Sequence, residues 1–258
     1  VRANSLGEIM SVDQMEDGRV VHYPKRRDVF VFDDEVSRIF PDMAMRSIPM
    51  YNEAHRLHIS MFKDVIEDAE NSVFYDVGAS RGHFFKELCN QFQIDPATGD
   101  KRFTCVAIDS SPHMLQRLKE ELPWVHTVES DALCLGDFAA PADFISMFYL
   151  LQFLETDAQK LKALKWAHRN LRQGGVLFLG QKDLTTDTHT ARFADEYYRF
   201  RMDNGYTIEE IRAKTEALKN SMWPSHPEWL GDLCLQAGFS DYVETTRWLT
   251  FSTSMCTR

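Results

Sequence analysis

Two apolar runs in this chain end in aspartate, and a glycine turn follows the first. Val73-Phe74-Tyr75-Asp76-Val77 leads into Gly78-Ala79-Ser80-Arg81-Gly82, and residues 103–108 lead into Asp109-Ser110. Gly78 and Gly82 carry no Cβ, so the backbone between them can turn sharply and approach a ligand. A carboxylate placed like Asp109, at the end of a second strand, can accept hydrogen bonds from both hydroxyls of a ribose. A glycine pair alone is equally a helix-packing feature or a plain turn. Joined to Asp76, Asp109 and the strand spacing, it points to a nucleoside cofactor in an open α/β crevice, with Ala79 and Ser80 in the turn beside it. Asp131, between Ser130 and Ala132, follows a third apolar run. A carboxylate there suits the amino group of an adenine; otherwise it is a surface-turn acid.

A second group of residues could surround the reacting atoms. Arg46, Ser47 and Tyr51 come from a segment ahead of the first strand that would close over such a crevice. His83 directly follows Gly82 and is either a base or a polar residue at a helix start, facing solvent or a cofactor carboxylate. Tyr149, Gln181 and Lys182 follow the fourth and fifth strands. Tyr197-Tyr198-Arg199-Phe200-Arg201 interleaves aromatic and basic side chains. Arg201 could hold a substrate carboxylate through two parallel N–H bonds, or the cluster is a solvated helix face with aromatic packing. The histidines are scattered, with His22, His55 and His58 reading as lid or surface residues, and no metal site is expected.

These residues need elements to position them. Residues 1–28 are polar and aperiodic, an irregular arm. Residues 29–71 read as a helical lid. Asp33 or Asp34 caps a first helix that Pro41 breaks or restarts, a second short helix spans 43–48, and an amphipathic helix spans 55–69. Strands are expected over 72–77, 103–108, 125–128, 142–147 and 176–180. Helices are expected over 83–92, from 112 to Pro123, and over 158–171, the last capped by the turn Arg172-Gln173-Gly174-Gly175. Helices over 191–204 and 207–221 interrupt the βα rhythm. This insertion, residues 190–223, reads as a substrate wall, a dimer face or both. A helix over 228–237 stops at Gly238, and the alternating segments 242–248 and 251–256 form an antiparallel hairpin.

With 258 residues, 44% of them apolar, the chain can build one large domain over 29–258. The formal charge of −10 argues against a large nucleic-acid footprint, although Arg19, His22, Lys25, Arg26 and Arg27 make a local basic stretch. Five cysteines, none in a CxxC, suggest buried thiols in a reducing compartment. No signal peptide or membrane-spanning run is read, so a cytoplasmic location is expected.

Five parallel-type units followed by a hairpin make an α/β fold. Its sheet is seven-stranded and mostly parallel with helices on both faces, an N-terminal helical lid and a helical insertion after strand five. This layout resembles the class I (Rossmann-like) methyltransferases that use S-adenosyl-L-methionine (SAM). Within them the chain is most similar to the carboxy-S-adenosyl-L-methionine synthases of tRNA wobble-uridine modification. The similarity rests on Phe32-Asp33-Asp34-Glu35-Val36, Phe40-Pro41-Asp42-Met43, Arg46-Ser47-Ile48-Pro49-Met50-Tyr51, Ala107-Ile108-Asp109-Ser110-Ser111-Pro112, Leu151-Gln152-Phe153-Leu154-Glu155, Asn204-Gly205-Tyr206 and Ala237-Gly238-Phe239.

The resemblance implies SAM as cofactor, with its amino-acid part beside residues 78–82. Asp109 would take the ribose, Ser110 would lie near the adenine, Asp131 would bind the adenine edge, and Tyr51 and Arg46 would lie near the sulfonium. It also implies a homodimer whose inserted helices contribute to the neighbouring site. Three positions depart from the family. Its carboxylate-reading arginine falls at Thr215, with Lys214 turned about 100° away on an ideal helix. An asparagine falls at Phe148 and a glutamate at Gln181, while Lys182 is kept. These departures favour methyl transfer to a small, carboxylate-bearing molecule such as a 2-oxo acid, with Tyr51, His83, Tyr149, Lys182 and Arg201 as catalytic candidates. Such a transfer needs the acceptor about 3–3.5 Å from the methyl carbon, in line with the sulfur. The alternatives are carboxy-SAM synthesis from SAM and prephenate, with Lys214 or Arg212 reading the carboxylate, and a non-catalytic SAM-binding dimer.

Overall fold

The computed structural model describes residues 30–184 and 190–258; the arm expected over 1–28 lies outside them. Strand β1 (Ser72–Val77) is buried along its whole length, as a strand must be when both faces of its sheet are covered. Parallel neighbours β2 (Phe103–Asp109) and β4 (Ala142–Phe148) flank it, and β3 (His126–Glu129) and β5 (Leu171–Lys182) extend the parallel set outward. The hairpin of β6 (Val243–Trp248) and β7 (Phe251–Thr257) completes the sheet, β7 running antiparallel to β5. The order is β3-β2-β1-β4-β5-β7-β6 in one seven-stranded sheet, the layout expected from the sequence. The chain leaves β1 toward β2 and β3, then returns to place β4 on the other side of β1. That reversal opens a crevice at the carboxyl ends of β1 and β4, where Asp76 pairs in register with Ser146.

Alternation along the strands divides the core in two. Phe74, Phe144 and Phe178 stack in a row, with 5.1 and 5.7 Å between successive ring centroids. With α2 (Tyr51–Ser60), α4 (His83–Phe92) and α5 (Pro112–Glu121) they make an aromatic layer. Val73, Tyr75, Ile145, Met147, Leu177 and Leu179 pack instead with α6 (Asp157–Asn170) and α9 (Pro227–Ala237). Helix α1 (Asp34–Ser47) precedes α2, and the inserted pair α7 (Thr190–Asp203) and α8 (Ile208–Leu218) lies between β5 and α9. Among the described residues, no helix is long and apolar enough to cross a membrane.

Three expectations change. Pro41 does not break its helix, which runs through it as α1. Proline removes the N–H that would bond the Ser37 carbonyl, but Arg81 of the glycine turn donates Nη1 to that oxygen at 3.3 Å and to Arg38 O at 3.2 Å. The helix expected over 55–69 starts at Tyr51 and divides into α2 and α3 (Lys63–Asp68). At the break, Phe62 packs its ring 5.4 Å from Phe144 and 5.7 Å from Phe178. Strand β5 begins at Leu171 rather than 176, so residues 172–175 are an irregular strand start rather than a helix cap. Arg258 supplies their partner: Gly174 N–H donates to Arg258 O at 3.0 Å, and Arg258 N–H to Gly175 O at 2.9 Å. Strand β5 also runs two residues past its expected end, to Lys182, and the limits of the other strands fall within one residue of expectation.

Phe144 lies between two rings and is 3% exposed, so Phe144→Ala should destabilise the protein by about 3–5 kcal/mol. Urea unfolding will read this as a lower midpoint at unchanged slope. A loss below about 1 kcal/mol would show that the row is not tightly packed.

Candidate active site

The turn between β1 and α4 is built around positive backbone angles: φ is +75° at Gly78, +50° at Ser80 and +70° at Gly82. A Cβ at Gly78 would be strained and would meet Leu150 at 3.1 Å. Gly78 and Ala79 N–H groups donate to Ile108 O at 2.8 and 3.0 Å, which ties the turn to the end of β2. Asp109 then accepts from Ser80 N–H at Oδ2 and from Ser111 N–H at Oδ1, both at 2.8 Å. Each oxygen keeps acceptor capacity, and the residue lines a cavity of about 710 Å³. Asp76 lines it too and accepts a hydrogen bond from the Ser146 hydroxyl. Burial pushes the Asp76 carboxyl up to about 7, against the Ser146 bond and helped by the Asp109 charge. Burial also raises Asp109, opposed by its backbone N–H bonds.

A second wall comes from α1, α2 and the insertion. The Tyr51 ring lies 4.8 Å from His55, 4.6 Å from His83 and 5.8 Å from Tyr149, and Phe148 lies 4.2 Å from His55. Burial drives the Tyr51 and Tyr149 phenols up, so both stay protonated. Burial pulls His83 down to about 4, with Lys86 adding and Glu87 opposing.

Three cations follow. Lys182 and Arg201 lie 5.0 and 4.3 Å from the Tyr197 ring, and Lys214 donates to the Ser47 hydroxyl 5.5 Å from the Tyr206 ring centre. Burial lowers both lysines, Lys214 to about 7, where the charges of Arg201, Arg46 and Lys182 add to the effect. Nearby carboxylates are engaged elsewhere: Asp42 with Arg46 and Asp183 with Arg247, each at 2.8 Å. Among the described residues the three cations have no carboxylate partner. The cavity therefore carries acid on its β1–β2 side and base on its β5–α8 side.

The cavity gathers every sequence candidate except Gly82, Arg46, Gln181 and Tyr198. Gly82 is the positive-φ cap of α4, and a Cβ there would press on Leu118 and Leu122 rather than enter the cavity. Arg46 clamps α1 to the insertion, donating Nη1 to Gly205 O at 3.2 Å with its guanidinium 4.2 Å from the Tyr206 ring. Gln181 donates to Asp183 at 2.5 Å. Tyr198 lies 6.0 Å from the Arg201 guanidinium.

One wall residue was missed as a site residue, and another was expected there only under the synthase alternative. His55 read as a lid or surface residue but is buried against the cavity. Lys214 was expected to turn away from the position of Thr215; both line the cavity. Thr215 returns its hydroxyl to Ile211 O at 2.7 Å, while the lysine stem is long enough to carry its ammonium inward. The available signal was that Glu210, Ile211 and Lys214 share the buried stripe of α8.

Comparisons with known proteins bear on the ligand. A profile of the methyltransferase domain family matches residues 74–175. A carboxy-S-adenosyl-L-methionine synthase of Desulforapulum autotrophicum is 30% identical over 238 residues, covering 89% of this chain and 91% of that protein. The same enzyme of Pseudomonas fluorescens is 32% identical over 237 residues, covering 86% and 90%. This chain belongs to the carboxy-S-adenosyl-L-methionine synthase family.

Carboxy-SAM synthases fall within the class I SAM-dependent methyltransferases, and the fold agrees. An O-methyltransferase family protein from Burkholderia thailandensis superposes with a TM-score of 0.55 at 14% identity, over 90% of this chain and 65% of that one. The protein is thus a SAM-using enzyme of the methyltransferase superfamily. The cavity fits that ligand. SAM carries positive charge at its sulfonium and amino group, and buried Asp76 and half-buried Asp109 give the cavity a carboxylate side with acceptor capacity to spare.

A raised Asp76 pKa means that the folded, ligand-free protein holds this proton more tightly than the unfolded chain. The group's contribution to stability is present at low pH and is lost as pH rises through about 7. Asp76→Asn should therefore raise the thermal midpoint of the ligand-free protein at pH 8 and change it little near pH 4. Thermal unfolding at the two pH values checks this; an equal gain at both would exclude titration as the cause.

Proposed function

We propose that this enzyme makes carboxy-SAM from SAM and prephenate, with Lys182, Arg201 and Lys214 holding carboxylate groups. The cationic wall, which has no carboxylate partner among the described residues, carries this reading. Lys214 is buried and Lys182 and Arg201 are half-buried, held by hydroxyls and rings alone, and a ligand with carboxylates supplies the missing counter-charge. The reading removes the objection raised by Thr215, since Lys214 brings a cation to the same cavity. Asp109 would hold the ribose. Ser110, Ser130, Asp131 and Ala132 would bound the adenine. Asp76, Gly78, Ala79 and Ser80 would face the amino-acid part, and Tyr51, Phe148 and Tyr149 would enclose the sulfonium and exclude water. Arg46 and Gly82 would act from outside, as clamp and turn. The family resemblance supports a homodimer.

The reaction balances as follows. The methyl carbon of SAM loses a proton and gains the ring carboxyl of prephenate as carbon dioxide. The ring becomes aromatic as its hydroxyl departs, and the proton and hydroxide leave as water. The second reading, methyl transfer to a small carboxylate-bearing acceptor, draws on Thr215, Phe148 and Gln181, where the family residues are changed. Its products would be S-adenosylhomocysteine and a methylated acid.

Intact-mass analysis of the nucleoside after incubation with SAM, with and without prephenate, separates the two. Prephenate-dependent gain of the mass of carbon dioxide is expected. S-Adenosylhomocysteine as the only product would sink the synthase reading.

Lys214→Met should lower kcat/KM for prephenate about 10- to 100-fold, the size of a lost charge-assisted hydrogen bond. Lysine binds an anion in its protonated form, so its contribution should fade as pH rises above about 7 in the free enzyme. A Lys214→Arg enzyme should hold its affinity for prephenate to higher pH, measured as KM against pH.

A further inference from the structure

Two imidazoles, His55 and His83, stand in the cavity wall. His55 projects from α2 and His83 from the first position of α4; their rings are 4.7 Å apart and nearly perpendicular, and both line the cavity. Nδ1 of His55 lies 2.7 Å from Tyr51 O. A carbonyl oxygen only accepts, so Nδ1 carries the hydrogen, and in the neutral ring Nε2 is a bare acceptor. Burial keeps that ring neutral, pulling its pKa well down, with the neighbouring His83 adding.

His83 is neutral for the same reason, and its Nε2 is buried without a hydrogen-bond partner. An unpaired buried nitrogen is destabilising. Against the rings of Tyr51 and His55 a phenylalanine would pack without that cost. The missing partner is one that a ligand can supply. One acceptor beside a second nitrogen able to donate matches a hydroxyl, which gives one hydrogen bond and receives another. A carboxylate or ketone cannot donate to His55.

We propose that His55 and His83 form a subsite for a hydroxyl of the second substrate, which donates to His55 Nε2 and accepts from His83 Nε2–H. The proposal rests on the synthase reading for its occupant, the ring hydroxyl of prephenate. That hydroxyl departs in the reaction, and a hydrogen bond from His83 stabilises the negative charge growing on its oxygen.

The test is calorimetric. Prephenate, and its analogue with hydrogen in place of the ring hydroxyl, are titrated into wild type, His83→Phe, His83→Gln and His55→Phe, each saturated with S-adenosylhomocysteine. SAM is titrated into each protein separately. Wild type should prefer prephenate over the analogue about tenfold or more, and His83→Phe should bring that ratio near one. His83→Gln, which keeps a donor near the Nε2 position, should restore part of the preference. SAM affinity should stay within about threefold throughout, and the thermal midpoint of His83→Phe should not fall, because an unpaired polar group has been removed. A ratio unchanged in His83→Phe, or a loss of SAM binding in that variant, overturns the subsite; the second result would assign the imidazole to the amino group of SAM. A wild type that binds neither compound and makes no carboxy-SAM overturns the synthase reading and this occupant together. That failure is distinguishable, because it shows before any histidine is changed.

Discussion

Charge kept from water must be held by something, and the cavity at the β1–β4 reversal keeps both signs of it. On one side Asp109 is held by two backbone N–H groups and Asp76 by one hydroxyl. On the other, Lys182 and Arg201 rest against the Tyr197 ring, and Lys214 against hydroxyls and the Tyr206 ring. Neither side neutralises the other. The result is a standing field along the cavity, suited to a ligand pair whose positive and negative groups lie at opposite ends. The sheet makes this possible: strand ends supply the acids, and sequence-distant helices bring the bases over them.

The helices that close the cavity are joined mainly by polar contacts. Tyr197 donates to Ser47 O at 2.9 Å, Ser47 and Tyr206 share a hydroxyl contact at 2.9 Å, and Arg46 reaches Gly205. Helix α7 has no fully buried residue. Its apolar attachment is a few rings, with Tyr197 5.0 Å from Phe251 and Phe200 5.2 Å from Trp248. Segments with few buried apolar contacts occupy the low end of a protein's local stability. Of the three cations, Arg201 thus stands on an element that opens more readily than the acidic floor, which is built into β1 and β2; Lys182 ends β5 and Lys214 is buried on α8.

What the sequence disclosed follows from how local each feature is. Asp76, Gly78 and Asp109 were legible because a strand, its turn and its terminal acid are neighbours in the chain. The sheet and its hairpin were legible from alternation. Continuity of α1 through Pro41 was not, because the group replacing the lost hydrogen bond is Arg81, far along the chain. The early start of β5 was hidden for the same reason, since its partner is Arg258. His55 was misjudged, and Lys214 was weighed only under the synthase alternative, because a polar residue in a buried stripe reveals its surroundings only when the opposite wall is known. Thr215 drew attention as a missing charge, while Lys214 beside it lines the same cavity.

Arg81 ties these levels together. Beyond the two α1 carbonyls, its guanidinium reaches Glu121 of α5, which also pairs with Lys86 of α4. Pro41 leaves α1 short of one backbone hydrogen bond, and the group that takes its place stands on the glycine turn and is braced from α5. The N-terminal cover over the cavity is thereby fastened to that turn through the Arg81 guanidinium, so a shift of the turn is felt in the cover without passing through the sheet.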